Sequence, residues 1–169
     1  MKLNWASLIA LILFMVSSPV MAEEYIRSFH SVIDVSDDGK LTVTETITVN
    51  VEGNRFQRGL VRDFPLYKMG DNGRRQRVDF EVLGVERNGA PEDWHTEGVS
   101  GGIRIYTGSQ DRMLRRGEHT FQITYQTGRQ FFFAEDYDDL TWNVTGNGWD
   151  FRIGEVSATV VLPLGSRAI

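Results

Sequence analysis

The chain has 169 residues, 41% of them hydrophobic and 24% charged, with no cysteine and a formal net charge of -5. That is the composition of a globular protein. The absence of cysteine excludes a disulfide scaffold, a thiolate metal site and a cysteine nucleophile. The acidic balance argues against a nucleic-acid partner bound by bulk charge.

The first residues form a separate object. Lys2 supplies a positive start, Ala6 to Val16 is apolar apart from Ser7, and Ser17-Ser18-Pro19 breaks the run. Val20-Met21-Ala22 is a small-x-small cleavage pattern. The apolar run is about half of the roughly 20 residues that a membrane span requires. Residues 1–22 therefore read as a signal peptide of an exported protein.

From Glu23 onward the period is two. Tyr25 to Val35 reads as a strand. Ser36-Asp37-Asp38-Gly39-Lys40 has the chemistry of a hairpin turn. Leu41 to Val51 follows as the partner strand, with an apolar file (Leu41, Val43, Ile47, Val49, Val51) and a threonine file (Thr42, Thr44, Thr46, Thr48) on opposite faces. Gly53 to Arg77 is the longest stretch without such alternation, too long for an idle connection. Alternation returns at Val78 to Val82, Ile103 to Ile105, Thr120 to Gln126, Leu140 to Thr145 and Val156 to Leu162. Glycine, asparagine and aspartate clusters separate these runs. The pattern predicts an all-β fold, an antiparallel β-sandwich of immunoglobulin-like architecture over residues 23–165. Leu41, Val43, Ile47, Phe121, Ile123, Trp142 and Val160 are expected inside.

Glu45 breaks the apolar file. A carboxylate on a core face is costly unless paired and hydrogen-bonded. Arg58 and Arg62 lie in the following segment, Gln57-Arg58-Gly59-Leu60-Val61-Arg62-Asp63-Phe64-Pro65. The expected arrangement is a structural ion pair between Glu45 and Arg58 or Arg62 that pins this segment over the sheet. A catalytic carboxylate ranks second. In Trp142-Asn143-Val144-Thr145-Gly146-Asn147-Gly148-Trp149, parity sends Trp142 inward, whereas Asn147 and Trp149 are candidates to face a ligand. The acidic run Glu135-Asp136-Tyr137-Asp138-Asp139 offers Asp136 and Asp138 as further ligand-facing candidates. Without calcium-loop spacing, its default reading is a solvated loop. Arg74-Arg75-Gln76-Arg77 and Arg112 to Arg116 are short basic clusters that read as solvated turns. His30, His95 and His119 carry no metal spacing, and no motif calls for a cofactor.

Three segments together resemble one family. They are Ile33-Asp34-Val35 with Asp38-Gly39-Lys40-Leu41-Thr42-Val43-Thr44-Glu45-Thr46-Ile47, then Phe56 with Arg58-Gly59-Leu60-Val61-Arg62-Asp63-Phe64-Pro65, then Leu140 to Trp149 ahead of Leu162-Pro163. In this order, after a leader, the chain resembles the N-terminal domain of the predicted membrane proteins grouped as domain-of-unknown-function family 2207. The resemblance implies an extracytoplasmic ectodomain of a bacterial envelope protein, anchored in the inner membrane. It also implies that residues 166–169 are a stub ahead of membrane helices absent from this sequence. Expected partners are those membrane segments, another envelope protein, or an envelope glycan. The resemblance implies no activity. A non-enzymatic binding or interaction module is therefore the first reading, and an envelope hydrolase acting on glycan or peptide is the alternative.

Overall fold

The computed structural model describes residues 23–70 and 73–167. The expected signal peptide, residues 1–22, lies outside the described residues. Those described contain strands and turns and no α-helix. The strands are β1 (Tyr25–Val35), β2 (Leu41–Val51), β3 (Val61–Pro65), β4 (Tyr67–Met69), β5 (Arg75–Arg77), β6 (Asp79–Arg87), β7 (Ala90–Pro91), β8 (Trp94–Val99), β9 (Gly102–Thr107), β10 (Gly117–Gly128), β11 (Phe132–Phe133), β12 (Asp138–Asp139) and β13 (Ile153–Val161).

The larger layer is a six-stranded sheet in the order β13-β1-β2-β10-β6-β7. Its β1–β2 hairpin forms where Asp38 and Gly39 supply the turn. Gly39 has a φ of 74°, and the Ser36 hydroxyl donates to Asp38 and to the Lys40 carbonyl. In β2 every odd residue is buried and every even one half-buried. This is what period-two alternation dictates when only one face is covered. On the outer face Thr44 and Thr48 meet Thr124 and Thr120 of β10 at 3.4 and 3.0 Å between hydroxyls.

The inner face is covered by a three-stranded sheet, β3-β9-β8. Phe29, Ile47, Phe121, Ile123 and Tyr125 from the large sheet, with Leu60, Phe64 and Ile105 from the smaller side, form one apolar core. A bulge in β6 resets its parity. Val82 stands opposite Tyr125, but after the extra residue Leu83 it is Val85 that stands opposite Ile123 and turns inward. Leu83 is left exposed.

Four sequence expectations change. The Gly53 to Arg77 stretch, which shows no strand alternation in the sequence, contains β3 and the small β4–β5 hairpin. Leu140 to Thr145 is not a strand. Leu140, Trp142 and Val144 still pack against the core, from an irregular loop. The last strand, β13, pairs parallel to β1. A parallel pair needs a long crossover, and residues 129–152 provide it by running from the Leu41 end of the sheet, where β10 stops, to the opposite end beside Ile26, where β13 starts. Val160, expected inside, is 51% exposed. It stands opposite Ile33 on the core-facing side, but β13 is an edge strand that the smaller sheet does not cover.

Candidate functional site

Glu45 sits in the middle of β2, flanked in register by Ser31 of β1 and Ile123 of β10. Its side chain is wholly buried. Arg62 descends onto it from β3 and is 3% exposed. The guanidinium makes a two-pronged contact, Nε to Oε2 and Nη2 to Oε1, both 2.8 Å. The Tyr125 hydroxyl donates to Oε1 at 2.8 Å, and Arg62 Nη1 donates to the Asp63 carbonyl at 2.7 Å. Two charges that burial alone would disfavour are thus paired with each other and further hydrogen-bonded. Burial pushes the Arg62 pKa down, but the Glu45 charge outweighs it and holds it above its ordinary value. Burial, reinforced by the same carboxylate, raises the Tyr125 phenol well above its usual range.

Arg58, the other candidate partner, turns away. Its Nε donates to the Gln110 carbonyl at 2.7 Å on the surface. Arg62 is instead roofed by the 142–149 loop. A Cβ on Gly146 would lie 2.3 Å from Arg62 Nη1, and the φ of 69° there also favours glycine. The Arg62 guanidinium carbon lies 5.9 Å from the Trp149 ring centroid and 6.0 Å from that of Phe29.

This loop and β3 line a cavity of about 460 Å³. Phe64, Tyr67 and Trp142 give it an aromatic wall, Gln130, Asn143 and Asn147 supply amides, and Gly101-Gly102 exposes backbone. The Trp142 indole N–H is buried without an acceptor. Lys68 lines the same cavity, its ammonium donating to the carbonyls of Gln130 and Phe131 at 2.9 and 3.1 Å. Arg75 stacks over Tyr67 at 4.0 Å and reaches Gly101, where a Cβ would meet its Nη2 at 2.9 Å. The cavity's carboxylate, Asp63, is already gripped by Arg104 through two bonds of 2.6 and 2.7 Å. The Arg104 bonds hold its pKa below the usual aspartate value.

The ligand-facing candidates divide. Asn147 lines this cavity and a second of about 240 Å³ beside it, and its Oδ1 accepts from Asn143 Nδ2 at 3.1 Å. Trp149 lines only the second. Its indole donates to the Thr145 carbonyl at 2.8 Å, and its ring meets Phe29 edge-on. Asp136 and Asp138 are exposed around the β11–β12 turn and line neither cavity. His119 is buried, with Nε2 2.8 Å from the Arg115 carbonyl. Among the described residues no group of acidic or histidine side chains could hold a metal.

Sequence reasoning missed three polar anchors. Glu24 accepts backbone N–H bonds from residues 52, 54, 55 and 56, fastening the exit of β2. Glu92 is nearly buried between Arg87 and Arg112. Lys68 was not distinguishable from any surface lysine. A carboxylate next to a strand start, and an acid three places after a turn, are weak signals that many solvated residues share.

The family model described as "Predicted membrane protein (DUF2207) N-terminal domain" matches residues 25–168. The chain belongs to this family. It is 35% identical over 131 residues to the "Uncharacterized protein YciQ" of Escherichia coli (strain K12), a match covering 78% of this chain and 21% of that protein. The chain thus spans about a fifth of that relative's length. Among solved structures, native yeast LTA4 hydrolase aligns at 12% identity and a TM-score of 0.46, over 72% of this chain and 19% of that one. An M1 zinc metallopeptidase from Deinococcus radiodurans aligns at 17% identity and a TM-score of 0.41, over 64% of this chain and 21% of that one. At such scores neither likeness bears on activity.

Proposed function

We propose that this domain is a recognition module on the extracytoplasmic side of an envelope membrane protein, and that it binds through the cavity above Arg62. The observation that carries the reading is that cavity. It is a concave site with an aromatic wall and amide side chains, and its floor is locked by the Glu45–Arg62–Tyr125 cluster. Binding is favoured over hydrolysis because the two nearest carboxylates are committed. Glu45 and Asp63 each accept two N–H bonds from an arginine, so neither is placed to pass a proton to a substrate. The leader pattern of residues 1–22 and the family's membrane character support export and anchoring in the inner membrane. The edge strand β13 is the surface offered to the remainder of such a protein.

Two measurements test this. An alkaline phosphatase fusion after Ser166 is expected to be active in cells, and an inactive fusion of normal abundance overturns the location. Titration of the full chain with soluble fragments of envelope glycan is expected to change tryptophan emission, with the change reduced in Trp142→Phe. An unchanged spectrum at saturating glycan overturns recognition of that partner.

A further inference from the structure

The two edges of the large sheet are built differently. On one side β6 carries the bulge at Leu83, and β7 beyond it is two residues long and contains Pro91. Short strands, bulges and proline are devices that stop a sheet from acquiring another strand. The other edge, β13, has none of them. It runs for 9 residues, pairs with β1 without a register shift, and contains no proline, lysine or arginine. Glu155 is its single charge. Among the described residues no strand pairs with its outer side, and its side chains from Gly154 onward are exposed. Such an edge presents a row of N–H and C=O groups that a further strand can take up.

The side chains of β13 point to one occupant. Val156-Ser157-Ala158-Thr159-Val160 reads nearly the same in both directions. A second β13, laid antiparallel about a twofold axis at Ala158, therefore meets the first in matched pairs. Residues directly opposite one another share a face. On the side of Phe29 and Ile33, Val156 stands against the partner's Val160, and Ala158 against the partner's Ala158. On the other face Ser157 stands against the partner's Thr159. Pairs of β-branched residues and pairs of hydroxyls are both favourable across strands. Glu155 falls opposite the partner's Val161, which keeps the two acids about 20 Å apart along the strands at roughly 3.3 Å per residue. Copies of a chain with a net charge of -5 repel each other, and this edge brings only one carboxylate from each side. We infer that β13 pairs antiparallel with β13 of a second copy of this chain, centred on Ala158, so that one sheet runs through both protomers. The interface is the same patch on both copies and closes at the dimer. Residues 155–161 alone form the pairing, so the interface is small and a Kd of about 10–100 µM is expected. The inference is independent of the recognition reading, which rests on the cavity.

The test uses the full chain, which has no cysteine of its own. Ala158→Cys, Val156→Cys and Val160→Cys are each oxidised with diamide at about 100 µM protein. Ala158→Cys should form a covalent dimer at least about tenfold faster than the other two, because residue 158 faces its own copy. Residues 156 and 160 each lie about 13 Å from theirs, too far for a disulfide. Sedimentation equilibrium from about 5 µM to 1 mM should show a monomer–dimer equilibrium. Ala158→Lys and Ala158→Glu each set like charges opposite one another and should weaken it at least about fivefold, and an equimolar mixture of the two should restore dimer. Circular dichroism of both variants should match the parent, since Ala158 is exposed. A monomer at about 1 mM would overturn the inference and leave the edge to the remainder of the protein. Equal cross-linking at the three positions, or association that Ala158→Lys does not weaken, would overturn it by placing the contact elsewhere. None of these outcomes bears on the cavity, whose glycan titration is decided separately.

Discussion

Replacing Glu45 by alanine is the most searching perturbation of this fold. The change strips Arg62 of two of its three hydrogen bonds within the protein and leaves it carrying a charge at 3% exposure. It also takes the acceptor from the Tyr125 hydroxyl. Removing one partner of a buried pair costs about 3–5 kcal/mol, because the surviving charge is neither solvated nor compensated. An orphaned hydroxyl costs about 1–3 kcal/mol by itself. The two effects overlap, so the upper part of the first range is expected. Against a total stability of roughly 5–15 kcal/mol, this is a loss that melts can resolve. For a domain of this size it corresponds to a fall of about 6–20 °C in Tm.

Urea melts at neutral pH supply the assay. Arg62→Ala should cost about as much as Glu45→Ala, since it leaves a buried carboxylate with only Tyr125. Tyr125→Phe should cost about 1.5–3 kcal/mol, the worth of a bond to a charged group. Arg58→Ala should stay within about 0.5 kcal/mol, because its guanidinium reaches only a surface carbonyl. The double variant Glu45→Leu/Arg62→Met should recover most of the loss, as apolar replacements of buried pairs do. A cost below about 0.5 kcal/mol for Glu45→Ala, or strict additivity of Glu45→Ala and Arg62→Ala, would refute the reasoning.

Three further outcomes are expected. Gly146→Ala should destabilise by about 1–3 kcal/mol in the same melts, since a Cβ there meets Arg62 Nη1 at 2.3 Å and the φ of 69° is strained for alanine. Burial pushes the Glu92 carboxyl up, but its bonds to Arg87 and Arg112 outweigh that and hold its pKa below the usual 4.5. The stability this contributes is complete above about pH 4.5 and is lost as pH falls through the lowered folded value, so urea midpoints measured from pH 6 to pH 3 should drop less in Glu92→Gln than in the parent. Val160→Lys should change stability by less than about 0.5 kcal/mol in the same melts, because Val160 is half exposed on an edge strand.

How legible each part was depends on whether its cause is local. The β1–β2 hairpin and the inward parity of Glu45 were readable because alternation and turn chemistry act over a few residues. The choice of Arg62 over Arg58 was not. Arg62 lies in β3 on the side facing the large sheet, whereas Arg58 lies before it, and nothing within the segment says where β3 begins. Val160 has the same alternation as Val43. What separates them is the width of the opposing sheet, three strands against six, which no local pattern encodes. β8 was missed because almost every side chain in it is exposed, so neither face carries an apolar file. The cavity is assembled from residues 62–65, 67–68, 78, 99–102, 130, 141–143 and 146–148. Lys68 acquires meaning only when the β4–β5 hairpin brings it to that opening.

Arg62 belongs at once to the core and to the cavity wall, and this decides what the buried pair is for. Judged on stability alone, a charged cluster in the centre of a sandwich is a poor choice, because well-packed apolar residues serve as well or better. Its directional bonds do something that leucine and methionine cannot. Two parallel N–H contacts fix the tilt of the guanidinium, and the Tyr125 hydroxyl fixes the carboxylate. Arg62 Nη1 in turn holds the Asp63 carbonyl at 2.7 Å, and Gly146 lies directly over the same nitrogen. One rigid cation thereby sets the height of β3 and the seat of the 142–149 loop, the two walls between which a ligand must fit. A site whose walls are placed by bonds to a fixed point in the core loses little entropy when occupied. The Glu45→Leu/Arg62→Met variant separates the two roles. It should fold with nearly the parent stability while the loop over Gly146 loses its anchor, so faster amide exchange across residues 143–148 is expected despite an unshifted melt.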